Sequence, residues 1–132
     1  MAVTSTDLLQ VADECLKQHC EGGYRSCVSR SYYAMFHHSL ISLQHVPHFV
    51  SNHHANLIGY MTNKSESKLE PFDSHRLKVL GYNLRQMRDA RNESDYDLSD
   101  VTISEDIAKQ NYSSAQLYFS KWDELKATSK AS

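Results

Sequence analysis

Apolar residues recur along most of this chain at offsets of three and four, the spacing that turns one side of an α-helix toward a core. The first such stretch carries Leu8, Leu9, Ala12, Cys15 and Leu16, with Ser5 or Thr6 ahead of it as an N-cap. Glu21-Gly22-Gly23 then reads as its stop, because glycine supplies the backbone freedom a helix C-terminus uses. A second helix is predicted from about Tyr24 to Leu43, with Ser29, Tyr32, Tyr33, Phe36, Leu40 and Leu43 along its stripe. Pro47 closes the segment that follows. A short third helix over about Asn52 to Thr62 carries His54, Leu57, Ile58 and Met61, and the polar run Asn63 to Lys68 predicts an exposed loop.

Asp73 or Ser74 can cap a fourth helix whose stripe is Leu77, Leu80, Leu84 and Met87; four residues further on, the stripe reaches Arg91. A last helix begins near Ser104 and carries Ala108, Tyr112, Ala115, Phe119 and Trp122. Alternating strand patterns are scarce, and only four glycines and two prolines interrupt the chain. The expected fold is therefore all-α: a compact up-and-down bundle of about five helices, one domain over residues 1–132, with a frayed tail from about Ala127.

Composition narrows the function classes only a little. At 132 residues, 40% hydrophobic and 23% charged, the chain suits a globular domain with a real core. A formal charge of -2 excludes a strongly cationic protein that wraps nucleic acid, although a local basic cleft is compatible with it. The start of the chain has neither the basic nor the apolar part of a signal peptide, and no window approaches the roughly 20 apolar residues of a membrane span. Cys15, Cys20 and Cys27 form no CxxC pair and read as thiols in a reducing compartment, so a cytoplasmic protein with no membrane association is expected.

Arg91 is the most informative single residue. A guanidinium on an apolar stripe must be paired, lie at an interface or face a cleft, because burying it alone is very costly. Asp95 stands four residues on, where it can pair with Arg91 on one helix face, and Tyr96 follows with a phenol able to donate or accept. The bland alternative is that Arg91 and Asp95 merely brace the end of the fourth helix. The eight histidines invite a metal reading, and His45-x2-His48 has the reach of a zinc ligand pair. Adjacent histidines point to different helix faces, however, and the cysteines lie elsewhere, so surface and core roles are expected and no metal. His37 is expected to pack with a hydrogen bond. Cys27 lacks a histidine partner and reads as structural, and Tyr32, Tyr33 and Phe36 read as core rather than as a base-stacking platform. No Gly-rich phosphate loop occurs, and no cofactor is expected.

Ser29-Arg30-Ser31-Tyr32-Tyr33-Ala34-Met35-Phe36-His37 resembles the second-helix signature of HEPN domains. His54-x2-Leu57-Ile58 is similar to their third helix, and Ile103-Ser104-x2-Ile107-Ala108 with Ala115 and Phe119 to their last. Arg91-x3-Asp95-Tyr96 resembles the fourth-helix ending of one poorly characterised subgroup, so the likeness covers nearly the whole chain. The resemblance implies a helical homodimer. Many of its members are metal-independent endoribonucleases that pair an arginine and a neighbouring polar residue with a histidine five to seven positions on. Arg91 and Asn92 match the start of that motif, but positions 96, 97 and 98 are Tyr, Asp and Leu. A phenol, with an ordinary pKa of about 10, does not do the work of an imidazole near neutral pH. The resemblance thus implies a HEPN protein of a toxin–antitoxin-like or defence module, partnered with a minimal nucleotidyltransferase for which Tyr96 is either structural or the acceptor. Its alternatives are an endoribonuclease acting on RNA with a diverged site of Arg91, Asn92, Asp95 and Tyr96 in the dimer cleft, and a helical adaptor without catalysis.

Overall fold

The computed structural model describes residues 3–129, and its regular structure is entirely helical: α1 (Ser5–Leu16), α2 (Glu21–Ser42), α3 (His53–Thr62), α4 (Ser74–Tyr96) and α5 (Glu105–Ala127). The all-α bundle of five helices is as expected. The helix starts follow local chemistry. Thr4, rather than Ser5 or Thr6, caps α1: its hydroxyl accepts from the Asp7 amide at 3.1 Å while its own amide donates to the Asp7 carboxylate at 2.9 Å. Such a reciprocal box needs the acid three residues after the cap, which selects Thr4. Asp73 and Ser104 cap α4 and α5 by accepting from the amides of Arg76 and Ile107.

The glycine pair begins α2 instead of ending α1. The link between the helices turns at His19, whose φ of 53° lies in the left-handed region. Gly23 falls in the first turn of α2, where a Cβ would stand 2.6 Å from the Cys15 carbonyl oxygen. The close crossing of the two helix ends, not a C-cap, requires glycine there.

α2 is the central helix, packed against α1, α4 and α5. Its buried side is wider than one stripe: Tyr32, Phe36 and Leu43 are buried as expected, and so are Cys27, Val28, Ala34 and Met35, which face other neighbours. Paired contacts set the directions. Ser5 meets His38, so α1 runs antiparallel to α2. Cys27 meets Ala108 and Ser39 meets Tyr118, so α5 runs parallel to it. Residues 43–52 double back, which sets His54 beside Tyr32 and Phe36 at the start of α3. α3 then lies on α4 at Gly81, where an added Cβ would meet Thr62 Cγ2 at 2.7 Å.

The main core gathers Tyr32, Met35, Leu57, Leu84, Tyr118 and Trp122, and a smaller one joins Ala12, Cys27, Val28, Ile103 and Ala108. Each large apolar side chain buried this way contributes about 1.5–3 kcal/mol. Where α2 meets α5, buried polar groups pair: the Trp122 indole N–H donates to Ser39 Oγ at 3.2 Å, and Ser39 Oγ also meets the Tyr118 phenol. The exposed run Asn63 to Lys68 contains one buried residue, Ser67, and leads into buried Glu70. The Glu70 carboxylate accepts from the amides of Gln44 and His45, each at 2.8 Å, and from the Tyr60 phenol at 2.6 Å, which ties two loops together. His37 is exposed, with its ring edge-on to Phe36, and does not pack inside as expected, because α2 turns that face away from its neighbours. α5 ends at Ala127, and residues 130–132 of the expected frayed tail lie outside the described residues. Among the described residues no helix is long and apolar enough to cross a membrane.

Candidate functional site

The apolar stripe of α4 runs Leu77, Leu80, Leu84 and Met87 onto α2 and α3, and Arg91 continues it as a residue only 6% exposed. Two aromatic rings of α2 receive it. The Arg91 guanidinium carbon lies 5.4 Å from the Tyr32 ring centre and 5.3 Å from that of Tyr33, and the Tyr96 ring covers it at 5.9 Å. Three ring faces around one cation contribute about 0.5–2 kcal/mol each, more where water is excluded. The expected pairing with Asp95 is present but loose, at 3.8 Å. Asp95 also accepts from the Ser29 hydroxyl at 3.2 Å. The tyrosine cage, more than the carboxylate, therefore holds Arg91.

Of the four residues singled out from the sequence, Arg91, Asp95 and Tyr96 come together. Asn92, one residue round the helix, is half-buried on another face and is no part of the cage. Tyr96 is the last residue of α4 and is 74% exposed.

Arg25 holds this end of α4 in place. Its guanidinium is buried, takes the Glu21 carboxylate at 2.8 Å, and donates to the carbonyls of Glu93, Ser94, Asp97 and Val101. The last carbonyls of a helix lack partners within it, so a fork of N–H donors from a neighbouring helix satisfies several at once. The same contact holds the Glu21 carboxyl below the usual carboxylate range, first through its hydrogen bond to Arg25 and then through the Ile103 amide.

His54 lies against the same rings, 5.5 Å from the centre of Tyr32 and 5.9 Å from that of Tyr33. Its Nδ1 is 2.6 Å from the Tyr32 phenol oxygen. Burial pushes His54 down to about 4, reinforced by the positive charges of Arg91 and Arg88, so the imidazole is neutral at pH 7. Burial likewise raises the Tyr32 phenol well above its ordinary value. A phenol held protonated donates to Nδ1, which leaves the imidazole proton on Nε2.

Sequence patterns alone pass over three participants. Nothing in the pattern of apolar positions singles out Arg25 or Arg88, and His54 reads as part of the apolar face of the third helix. The available signal was Arg88-x2-Arg91, two cations at the spacing of one helix face. Cys27 is structural: its buried thiol donates to the Ala108 carbonyl, and burial pushes it up to about 11. No group of three or more His, Cys, Asp or Glu side chains among the described residues is placed to hold a metal ion, and His45 and His48 both sit exposed in the loop after α2. Comparison with protein-family models, with curated proteins and with solved structures finds no match to this chain.

Proposed function

We propose that this chain is a HEPN-type helical module that works as a homodimer with a minimal nucleotidyltransferase, and that Tyr96 is the residue offered to that enzyme. The observation that carries the reading is the contrast among the tyrosines around Arg91. Tyr32 is fully buried and Tyr33 is half-buried, whereas Tyr96 is 74% exposed at the end of a helix with its ring against a guanidinium. In the transfer, the Tyr96 oxygen attacks the α-phosphorus of a nucleoside triphosphate, the bond to the pyrophosphate oxygen breaks, and the phenolic proton passes to a base of the transferase. Arg91 lies where it offsets the charge of the phosphodiester so formed. Leu98, two residues on, is also an exposed apolar side chain and suits a protein partner.

The test is reconstitution with a minimal nucleotidyltransferase and ATP, followed by mass spectrometry. The expected result is a mass gain of whole nucleoside-monophosphate units on Tyr96, absent from Tyr96→Phe, in a protein that sediments as a dimer. An unmodified chain, or modification elsewhere, refutes the reading.

A further inference from the structure

α5 runs parallel to α2, and Arg25 near the start of α2 holds the end of α4, so α4 and α5 lie antiparallel with α2 beneath both. Each packs more closely on α2 than on the other, which leaves a groove between them. Three cavities line up along it. The first, of about 320 Å³, has the buried thioethers of Met35 and Met87 as its floor, and Asn83, Gln86, Asn111 and Ser114 as its walls. Lys121 joins it to a second, of about 240 Å³, floored by buried Leu80 and Leu125. Arg76 joins the second to a third, of about 630 Å³, which Lys64 and Lys68 also line. No residue of the Arg91 cage takes part.

The cations of this groove are Lys64, Lys68, Arg76 and Lys121, and none has a carboxylate within ion-pair distance among the described residues. Its carboxylates are mostly committed to the fold. Glu70 takes the Gln44 and His45 amides and the Tyr60 phenol, and Asp73 caps α4, which leaves Glu124. A row of unpaired cations on a chain of net charge -2 is complementary to an acidic ligand. The remaining lining chooses among such ligands. Single-stranded nucleic acid is held by accessible aromatic rings on which bases stack, but the rings here, Phe72 and Tyr118, are buried, and the Tyr118 phenol is taken by Ser39. Aliphatic and thioether floors receive aliphatic side chains instead. The amides of Asn83, Gln86 and Asn111 can pair with main-chain N–H and C=O groups, which an extended chain presents and a helix has already used within itself. We propose that the α4–α5 groove binds an extended acidic peptide segment of a partner protein. Its aliphatic side chains sit over the methionine and leucine floors, and its carboxylates meet Lys121 and Arg76. From Gln86 to Arg76 the groove follows about 15 Å of helix, the reach of about five extended residues.

The experiment titrates the full chain with a fluorescein-labelled short peptide of alternating leucine and aspartate, with the same peptide carrying lysine for aspartate, and with a short oligouridylate. The readouts are fluorescence anisotropy and the side-chain amide NMR signals of Asn83, Gln86 and Asn111. The aspartate peptide is expected to bind and to move those signals, and the lysine peptide to do neither. Lys121→Glu should weaken the aspartate peptide about tenfold or more, the loss of one charge-assisted contact, and should let the lysine peptide bind. Arg76→Gln, a change at an exposed side chain, should weaken the aspartate peptide too while melting like the parent, which separates lost binding from lost folding. Tyr96→Phe should bind the peptide like the parent, because the groove does not depend on Tyr96 accepting a nucleotide. Amide signals unmoved at about 1 mM aspartate peptide, or folded Lys121→Glu and Arg76→Gln proteins that bind it as tightly as the parent, overturn the proposal. So does oligouridylate that binds at the same amides more tightly than the peptide, which would assign the groove to RNA.

Discussion

Replacing Arg25 by methionine keeps most of the aliphatic volume and removes the charged fork that closes the end of α4. Four carbonyls lose a charge-assisted donor, and the Glu21 carboxylate loses its partner. Not all of this appears as lost stability. Only the Ser94 contact is fully buried, and the other carbonyls can turn to water. Counting one buried orphan acceptor and partial losses at the rest gives about 3 kcal/mol, within the range for breaking a buried charge from its partners. For a domain of this size that is a drop of about 10 °C in melting temperature. Thermal unfolding followed by circular dichroism measures the total, and amide hydrogen exchange locates it. The exchange of Ser94 to Asp97 and of Ile103 should speed up more than that of the Trp122 region, because the clamp is local. Arg25→Lys supplies the control: it keeps the charge but not the planar fork, so it should fall between the parent and the methionine variant. A methionine variant that melts within about 1 kcal/mol of the parent, or lysine fully equivalent to arginine, would refute the account of how the Arg91 to Tyr96 turn is held.

Three further outcomes follow from the same geometry. His54 is neutral in the folded protein down to about pH 4 but takes up a proton near its ordinary 6.5 when unfolded, so stability is full above about 6.5 and declines as the pH falls toward 4. After allowance for solvent screening the decline is on the order of 1 kcal/mol, and urea titrations should find it flattened in His54→Gln. Iodoacetamide labelling read by mass spectrometry should modify exposed Cys20 first and half-buried Cys15 later, and leave Cys27 intact until the protein unfolds, since that thiol is both buried and raised to about 11; equal rates at the three would contradict the burial argument. Glu70→Gln converts a three-way acceptor into a side chain with one acceptor oxygen and should cost about 2 kcal/mol, with protection lost at the Gln44 and His45 amides in hydrogen exchange.

How far the fold and the site could be read in advance depended on the range of the interactions involved. The five helices were legible because amphipathic spacing and capping are local, written within three or four residues. Asp73 and Ser104 cap as expected, and the stripe Leu77 to Arg91 is buried along its whole length. The errors arose where a local signal had two meanings. A glycine pair serves equally to end one helix or to let the next pass close to it, and only the 2.6 Å approach to the Cys15 carbonyl distinguishes the cases. A single stripe on α2 suggested one neighbour, whereas a central helix has three and buries residues on several sides.

The sequence by itself determined that Arg91 would be buried, since it lies on an apolar stripe that any helical packing must cover. It also placed Asp95 and Tyr96 within reach of Arg91, one turn on. Only the tertiary structure decided what surrounds Arg91: the rings of Tyr32 and Tyr33 from α2, the imidazole of His54 against those rings, and Arg25 at the end of the helix. Those partners come from 37 to 66 positions away along the chain, where no periodicity links one residue to another. Long-range juxtaposition is set by how helices stack and how loops return. Here the doubling back of residues 43–52, which no cap or stripe signals, brings a histidine to the arginine that lacks one in its own stretch.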